Sequence, residues 1–120
     1  MNTFLLVHHQ AEFPQAQLAH RYIREYVTRH KPTIVQIARG PEPRLLHPYG
    51  TVFESFEGEL SESALEQLRG HYVTVAGGMR DHCLANTIAE LETHEISYRT
   101  FEQGVYPRKE SWLALLSRSL

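Results

Sequence analysis

The chain has 120 residues, of which 42% are apolar and 22% charged, and this length predicts a single domain, residues 1–120, around one core. A formal net charge of −2 argues against a nucleic-acid partner, and no apolar run approaches the roughly 18 residues of a membrane span or suits a signal peptide. The single cysteine excludes an internal disulfide and predicts a reducing, cytoplasmic location.

The first third of the chain predicts a β-α-β unit. Residues 4–7 and 33–38 are apolar runs that suit buried strands of a parallel sheet. Between them, Pro14 suits the start of a helix that runs to about His30. The apolar face of this helix comprises Leu18, Ala19, Tyr22, Ile23, Tyr26 and Val27. The crossover between the two strands is expected to be right-handed.

A Pro/Gly-rich loop at 39–44 precedes a second series of elements. Ser61 or Ser63 is predicted to cap a short helix, and Ser63 with Glu66 fits a capping box. A strand at 72–76 then ends at two glycines, and a helix follows for which Asp81 is the predicted cap. We predict a further strand at 96–101, a turn at residues 103–104 and a last helix at 109–120.

Strands that alternate with helices predict an α/β fold, a three-layer α-β-α doubly wound sheet that is mostly parallel, with four parallel strands, and reduced in size. Cys83 falls in the first helical turn after the strand at 72–76, at the sheet edge where such folds bind ligands. The helix dipole and the free N–H groups there favour a thiolate. The alternative is an inert, buried thiol.

The segment Gly77-Gly78-Met79-Arg80-Asp81-His82-Cys83-Leu84-Ala85-Asn86-Thr87 resembles the signature of the isochorismatase-like cysteine hydrolases, which include nicotinamidases. That signature has a glycine, five residues, Cys, an aliphatic residue, two residues and Thr, with an acidic residue two before the Cys. Arg80 departs from it, because Thr or Ser is usual there. The resemblance implies that Cys83 is the nucleophile and that the turn Gly77, Gly78 and Met79, with an unusual cis peptide, binds the oxyanion.

Two further segments resemble the same family. Residues 6–13 resemble its first strand, with Phe13 in register, but His8 stands where the family has its catalytic Asp. Residues 45–53 resemble the segment of its catalytic Lys, and His47 stands at that position. The only aspartate is Asp81, so this register excludes an intact Asp-Lys-Cys triad.

His8, and with it His47, is the candidate replacement, because imidazole titrates near neutral pH and commonly activates a thiol. Each is otherwise a structural histidine. A zinc site formed by these two residues and Cys83 is a further alternative, but we predict neither a metal nor a cofactor. Substrate-binding residues are predicted at Phe13, Tyr49 and Thr87 from the resemblance, and at Arg39 from its place at the cleft mouth, where the alternative is a solvated loop.

Three functions remain open at this point. The first is a divergent hydrolase of a small amide or related carbonyl compound, which uses Cys83. The second is an inactive member of the fold that serves as a small-molecule-binding or oligomeric interaction protein, which the loss of Asp and Lys favours. The third is isochorismate hydrolysis, which a cysteine argues against, since isochorismatases typically lack it. We expect a small-molecule ligand and a homo-oligomer that associates through the helix containing Trp112.

Overall fold

The computed structural model describes residues 2–8, 14–39 and 50–108 of the chain. The helices and strands are β1 Asn2–Val7, α1 Pro14–His30, β2 Thr33–Ala38, β3 Thr51–Glu54, α2 Glu62–Leu68, β4 Tyr72–Gly78, α3 Cys83–Thr93 and β5 Tyr98–Tyr106. None of the helices in this described part has the length and apolar character that a membrane span requires.

The strands form one sheet in the order β3-β2-β1-β4-β5, and every pair is parallel. The chain winds outward from β1 to β3 and then returns to the other side of β1 with β4. This reversal places a topological switch point between the carboxyl ends of β1 and β4, where ligands bind in such sheets. The predicted doubly wound α/β fold is confirmed, with five parallel strands in the described part rather than four.

Alternate residues of the central strands supply two apolar layers, as the pleat of a strand requires. Phe4 and Leu6 of β1 pack with Ile23 of α1 on one face of the sheet. Leu5 and Val7 pack on the other face, in a cluster that includes residues of α2 and α3. Each such side chain is almost fully buried, and full burial of an aliphatic side chain contributes about 1.5–3 kcal/mol.

The helix caps differ from the sequence predictions. Ser61 caps α2, because its Oγ accepts the N–H of Ala64 at 3.2 Å. Ser63 lies inside α2, so the capping box that it was predicted to form with Glu66 is wrong.

At α3 the N-cap residue is His82, without a side-chain hydrogen bond, so Asp81 is not the cap. The carbonyl of Met79 accepts the N–H groups of His82 and Leu84 instead, at 3.0 and 3.2 Å. A main-chain acceptor thus replaces the capping side chain.

Strand β5 is longer than predicted, since it continues through residues 103–104 to Tyr106. Gly104 is buried, and a Cβ there would lie 2.7 Å from Cγ1 of Ile23. The glycine therefore marks a close approach to α1 rather than a turn. The pairing of β4 with β5 is irregular, with a register shift between Val75 and Gly77. The predicted helix at 109–120 lies outside the described residues.

Candidate functional site

The candidate site lies at the carboxyl edge of the sheet. His8 directly follows β1, Arg39 directly follows β2, and Cys83 is the first residue of α3 after β4. Parallel strands end at the same edge, so the topology alone collects these three residues from distant parts of the sequence.

The imidazole of His8 is buried, and its Nε2 donates a hydrogen bond to the carbonyl of Ser55 at 2.6 Å. Because a carbonyl only accepts, Nε2 carries the proton and the lone pair of the neutral ring is on Nδ1. Burial lowers the pKa of His8. The Ser55 carbonyl and Glu59 raise that pKa, and Arg39 lowers it, with a net lowering. His8 is thus a neutral imidazole at neutral pH.

The thiol of Cys83 is partly buried, and its Sγ donates to the carbonyl of Phe56 at 3.5 Å. Burial raises the pKa of Cys83, against the lowering effects of Arg39 and of the main-chain N–H of Cys83 itself. Glu57 and Glu59 raise the pKa further. The thiolate expected from the helix start is therefore not the resting state, since desolvation outweighs the helix terminus.

Residues 55–58, which we call the 55–58 turn, connect these side chains. Its four consecutive carbonyls accept hydrogen bonds from His8 Nε2, Cys83 Sγ, Asn86 Nδ2 at 2.8 Å and Thr87 Oγ1 at 2.6 Å. His8 and Cys83 thus contact adjacent carbonyls of one turn, and these hydrogen bonds run to the turn rather than to each other.

Gly58 allows the 55–58 turn to lie against the start of α3. Its φ is +86°, and a Cβ at this position would collide with the carbonyl oxygen of Cys83. The Gly58 N–H donates to Ser55 Oγ at 3.0 Å, which closes the turn. A residue with a side chain would be strained here and would also displace α3.

Two charged residues and an exposed aromatic ring border the site. The carboxylate of Glu59 accepts a hydrogen bond from the N–H of Glu57 at 3.2 Å. Hydrogen bonds lower the pKa of Glu59, and the one from its own main-chain N–H has the largest effect. The guanidinium of Arg39 lies 5.9 Å from the ring centroid of Phe56. Phe56 is 68% exposed, which is unusual for a large apolar side chain.

Sequence reasoning missed the 55–58 turn and Glu59. Their partners lie 27 to 47 residues away along the chain. The one local signal is Gly58 between two glutamates after an apolar run, and it indicates a turn without indicating its contacts.

The remaining predicted site residues are placed as follows. Gly77 has a φ of +116°, and a Cβ there would collide with the carbonyl of Val7, while Gly78–Met79 is the expected cis peptide. The hydroxyl of Thr87 is buried and bound to the carbonyls of Gly58 and Cys83, so it supports the turn. Phe13, His47 and Tyr49 lie outside the described residues.

Within 2–8, 14–39 and 50–108, no three His, Cys, Asp or Glu side chains are grouped so that they could hold a metal ion. The alternative zinc site also required His47, which lies outside these ranges. His8 and Cys83 by themselves, each bonded to a carbonyl of the turn, do not make such a site.

No protein-family profile and no curated protein matches the chain. Several solved structures do. The MAR1 ribonuclease of Caenorhabditis elegans has a TM-score of 0.68 at 15% identity, over 87% of this chain and 64% of its own. An isochorismatase from Pseudomonas putida KT2440 has a TM-score of 0.66 at 12% identity, over 92% of this chain and 73% of its own. An isochorismatase family protein from Burkholderia thailandensis has a TM-score of 0.62 at 8% identity, over 87% of this chain and 78% of its own.

The chain therefore spans less than two thirds of the length of the ribonuclease that it matches. Identities of this size show a shared fold. With its five parallel strands flanked by helices, the chain has the isochorismatase-like α/β fold that residues 77–87 predict.

Proposed function

We propose that this chain is a hydrolase of a small amide or related carbonyl compound, with Cys83 as nucleophile and His8 as general base. The observation that carries the proposal is that both side chains contact adjacent carbonyls of the 55–58 turn. Their protonation states also suit the reaction. A protonated thiol and a neutral imidazole are the reactants of general-base catalysis, in which the proton leaves sulfur as the new bond forms.

The proposed reaction has two halves. Cys83 Sγ attacks the carbonyl carbon while its proton passes to the unprotonated nitrogen of His8. The C–N bond then breaks, His8 returns the proton to the leaving amine, and a thioester remains. Water attacks the thioester carbon and gives a proton to His8. The acid leaves, and the thiolate takes that proton back from His8, so both side chains regain their resting states.

Two features support this chemistry. The main-chain N–H of Cys83 lies close enough to its own Sγ to lower the thiol pKa, so it is a candidate donor to the developing oxyanion beside the glycine turn. Arg39, held beside the exposed ring of Phe56, is a candidate partner for an anionic group of the substrate.

The test is acyl-enzyme formation with p-nitrophenyl acetate, followed by a panel of primary amides, with intact mass spectrometry. We expect an acetyl adduct on the wild type and none on Cys83→Ala. His8→Gln keeps an amide donor for the Ser55 carbonyl but removes the base, so acylation should slow by roughly 100-fold or more. Unchanged hydrolysis in either variant would contradict the proposal.

A second candidate function is an inactive, ligand-binding member of the fold. It is favoured by the Cys83 thiol, which has a raised pKa and donates to a carbonyl, as a structural thiol does. In that case benzoate, used as a simple anionic probe in calorimetry, binds the wild type but not Arg39→Gln, and no amide is hydrolysed. Arg69→Gln, at an exposed arginine that follows α2 and pairs with Glu62, is the matched control.

Self-association remains a separate proposal. Trp112 and the helix predicted around it, through which we expect a homo-oligomer, lie outside the described residues. Light scattering on the full chain, compared between the wild type and Trp112→Ala, tests it. A monomeric mass for the wild type would contradict the proposal.

A further inference from the structure

Tyr106, at the carboxyl end of β5, reaches across β4 to the end of β1. Its main chain pairs with Gly78 of β4, and its side chain is buried. The phenol O–H donates a hydrogen bond to the main-chain carbonyl of His8. Because β4 lies between β1 and β5, this hydrogen bond joins the ends of two strands that are not neighbours in the sheet.

Apolar packing fixes the ring of Tyr106. A Cβ on Gly78 would overlap the ring, so the glycine leaves the space through which the side chain passes. The ring also packs in a cluster with Ala16 and Ala19 of α1 and with Met79. The position of the phenolic oxygen is therefore set by contacts that do not involve the hydroxyl itself.

The main chain at His8 is in the left-handed region, with a φ of 37°. A residue with a Cβ is strained there and remains so only where its surroundings hold it. The N–H of His8 donates to the carbonyl of Ile37 at 2.9 Å, and Nε2 donates to that of Ser55. The hydrogen bond from Tyr106 holds the peptide plane on the carboxyl side of His8.

We propose that Tyr106 is a positioning residue, whose hydroxyl holds His8 in the left-handed conformation that directs its imidazole to the Ser55 carbonyl beside Cys83. The inference rests on the proposed function for the role of His8 as a base. The positioning itself can be measured without any substrate.

The environment of His8 supplies the readout. Burial, the Ser55 carbonyl, Arg39 after β2 and Glu59 after the 55–58 turn act on its pKa, and burial is the largest influence. An imidazole released from this position gains contact with water, so burial would lower its pKa less.

Tyr106→Phe removes the hydroxyl and keeps the ring. Titration by NMR, with ring nitrogen shifts, should give His8 of the wild type a pKa below about 6.5 and the Nε2–H tautomer. In Tyr106→Phe we expect the pKa to rise toward that value and the tautomers to mix. Tyr98→Phe is the matched control on the same strand, where the hydroxyl donates to Glu92 at 2.5 Å. A wild-type pKa and tautomer in Tyr106→Phe would overturn the proposal.

A thermodynamic cycle tests the same point, also if Tyr106→Phe alone does not fold. Glycine adopts the left-handed conformation freely, so His8→Gly removes the strain that Tyr106 opposes. Loss of the hydroxyl lets a strained His8 relax, which returns part of the lost free energy. The urea midpoint should therefore fall less on Tyr106→Phe in the native background than in the His8→Gly one. Equal losses, or unfolding in both backgrounds, would overturn the proposal. Absence of amide hydrolysis would contradict the proposed function and leave these results intact.

Discussion

The pKa of the Cys83 thiol is lowered by some of its surroundings and raised by others. A helix start favours a thiolate, and Arg39 and the Cys83 N–H act the same way. Burial raises the pKa more strongly, and Glu57 and Glu59 add to it. The outcome is a thiol that donates to Phe56, so in the proposed reaction a base must take its proton during attack.

Neutralising single charges near Cys83 and His8 gives a prediction with two signs. Glu59→Gln removes a carboxylate and should lower the pKa of both Cys83 and His8. Arg39→Gln removes a cation and should raise the pKa of both groups. The rate of Cys83 alkylation by iodoacetamide against pH measures the first group, and NMR titration measures the second.

Salt and a distant carboxylate provide the controls for these shifts. Glu62→Gln alters an exposed carboxylate on α2 that pairs with Arg69, and it should move neither pKa. Because exposed charges are screened by salt, the shifts caused by Glu59→Gln should shrink at about 1 M ionic strength. Shifts of the same sign in Glu59→Gln and Arg39→Gln would disprove the electrostatic account.

At the scale of elements, the 55–58 turn and α3 behave as one unit. Asn86 and Thr87, one turn into α3, each bind a carbonyl of the turn, and Gly58 lies against the carbonyl of Cys83. The position of Cys83, the proposed nucleophile, therefore depends on a segment that follows β3, on the other side of β1 in the sheet.

Two glycines with left-handed conformations allow the cost of backbone strain to be measured apart from the cost of a steric collision. Gly58 and Gly70 have φ values of +86° and +80°, but a Cβ on Gly70 meets nothing within 4 Å. Gly70→Ala should cost about 1–2 kcal/mol of unfolding free energy, from strain alone. Gly58→Ala adds a collision with main-chain atoms and should cost about 3 kcal/mol or more. Urea denaturation measures both, and equal losses would contradict the close approach of the turn.

At the scale of the whole molecule, periodicity predicted the layers because burial of β1, β2, β4 and α1 follows from their own sequences. The bounds of α1, Pro14 to His30, are those that its apolar spacing indicates. The end of β5 was not predictable, since the burial of Gly104 depends on its contact with Ile23. The candidate site was predictable only where it lies at strand ends, as with His8, and the carbonyls that orient its side chains required the tertiary structure.

His8, which is buried, and His20 on α1, which is half-buried, also make the stability of the whole chain depend on pH. Burial lowers the pKa of His8 and of His20 on α1 from 6.5, so the unfolded chain binds protons before the folded one does. The unfolding free energy should be nearly constant from about pH 8 to about pH 7.5, fall as the pH drops through about 6.5, and level off below the native pKa values until the carboxylates titrate. Urea denaturation of the wild type between about pH 8 and pH 5 measures this loss.

The double variant His8→Gln/His20→Gln removes both titrations and should show a flatter profile, because neither site then binds an extra proton on unfolding. A loss of the same size in the double variant would place the pH dependence in other groups.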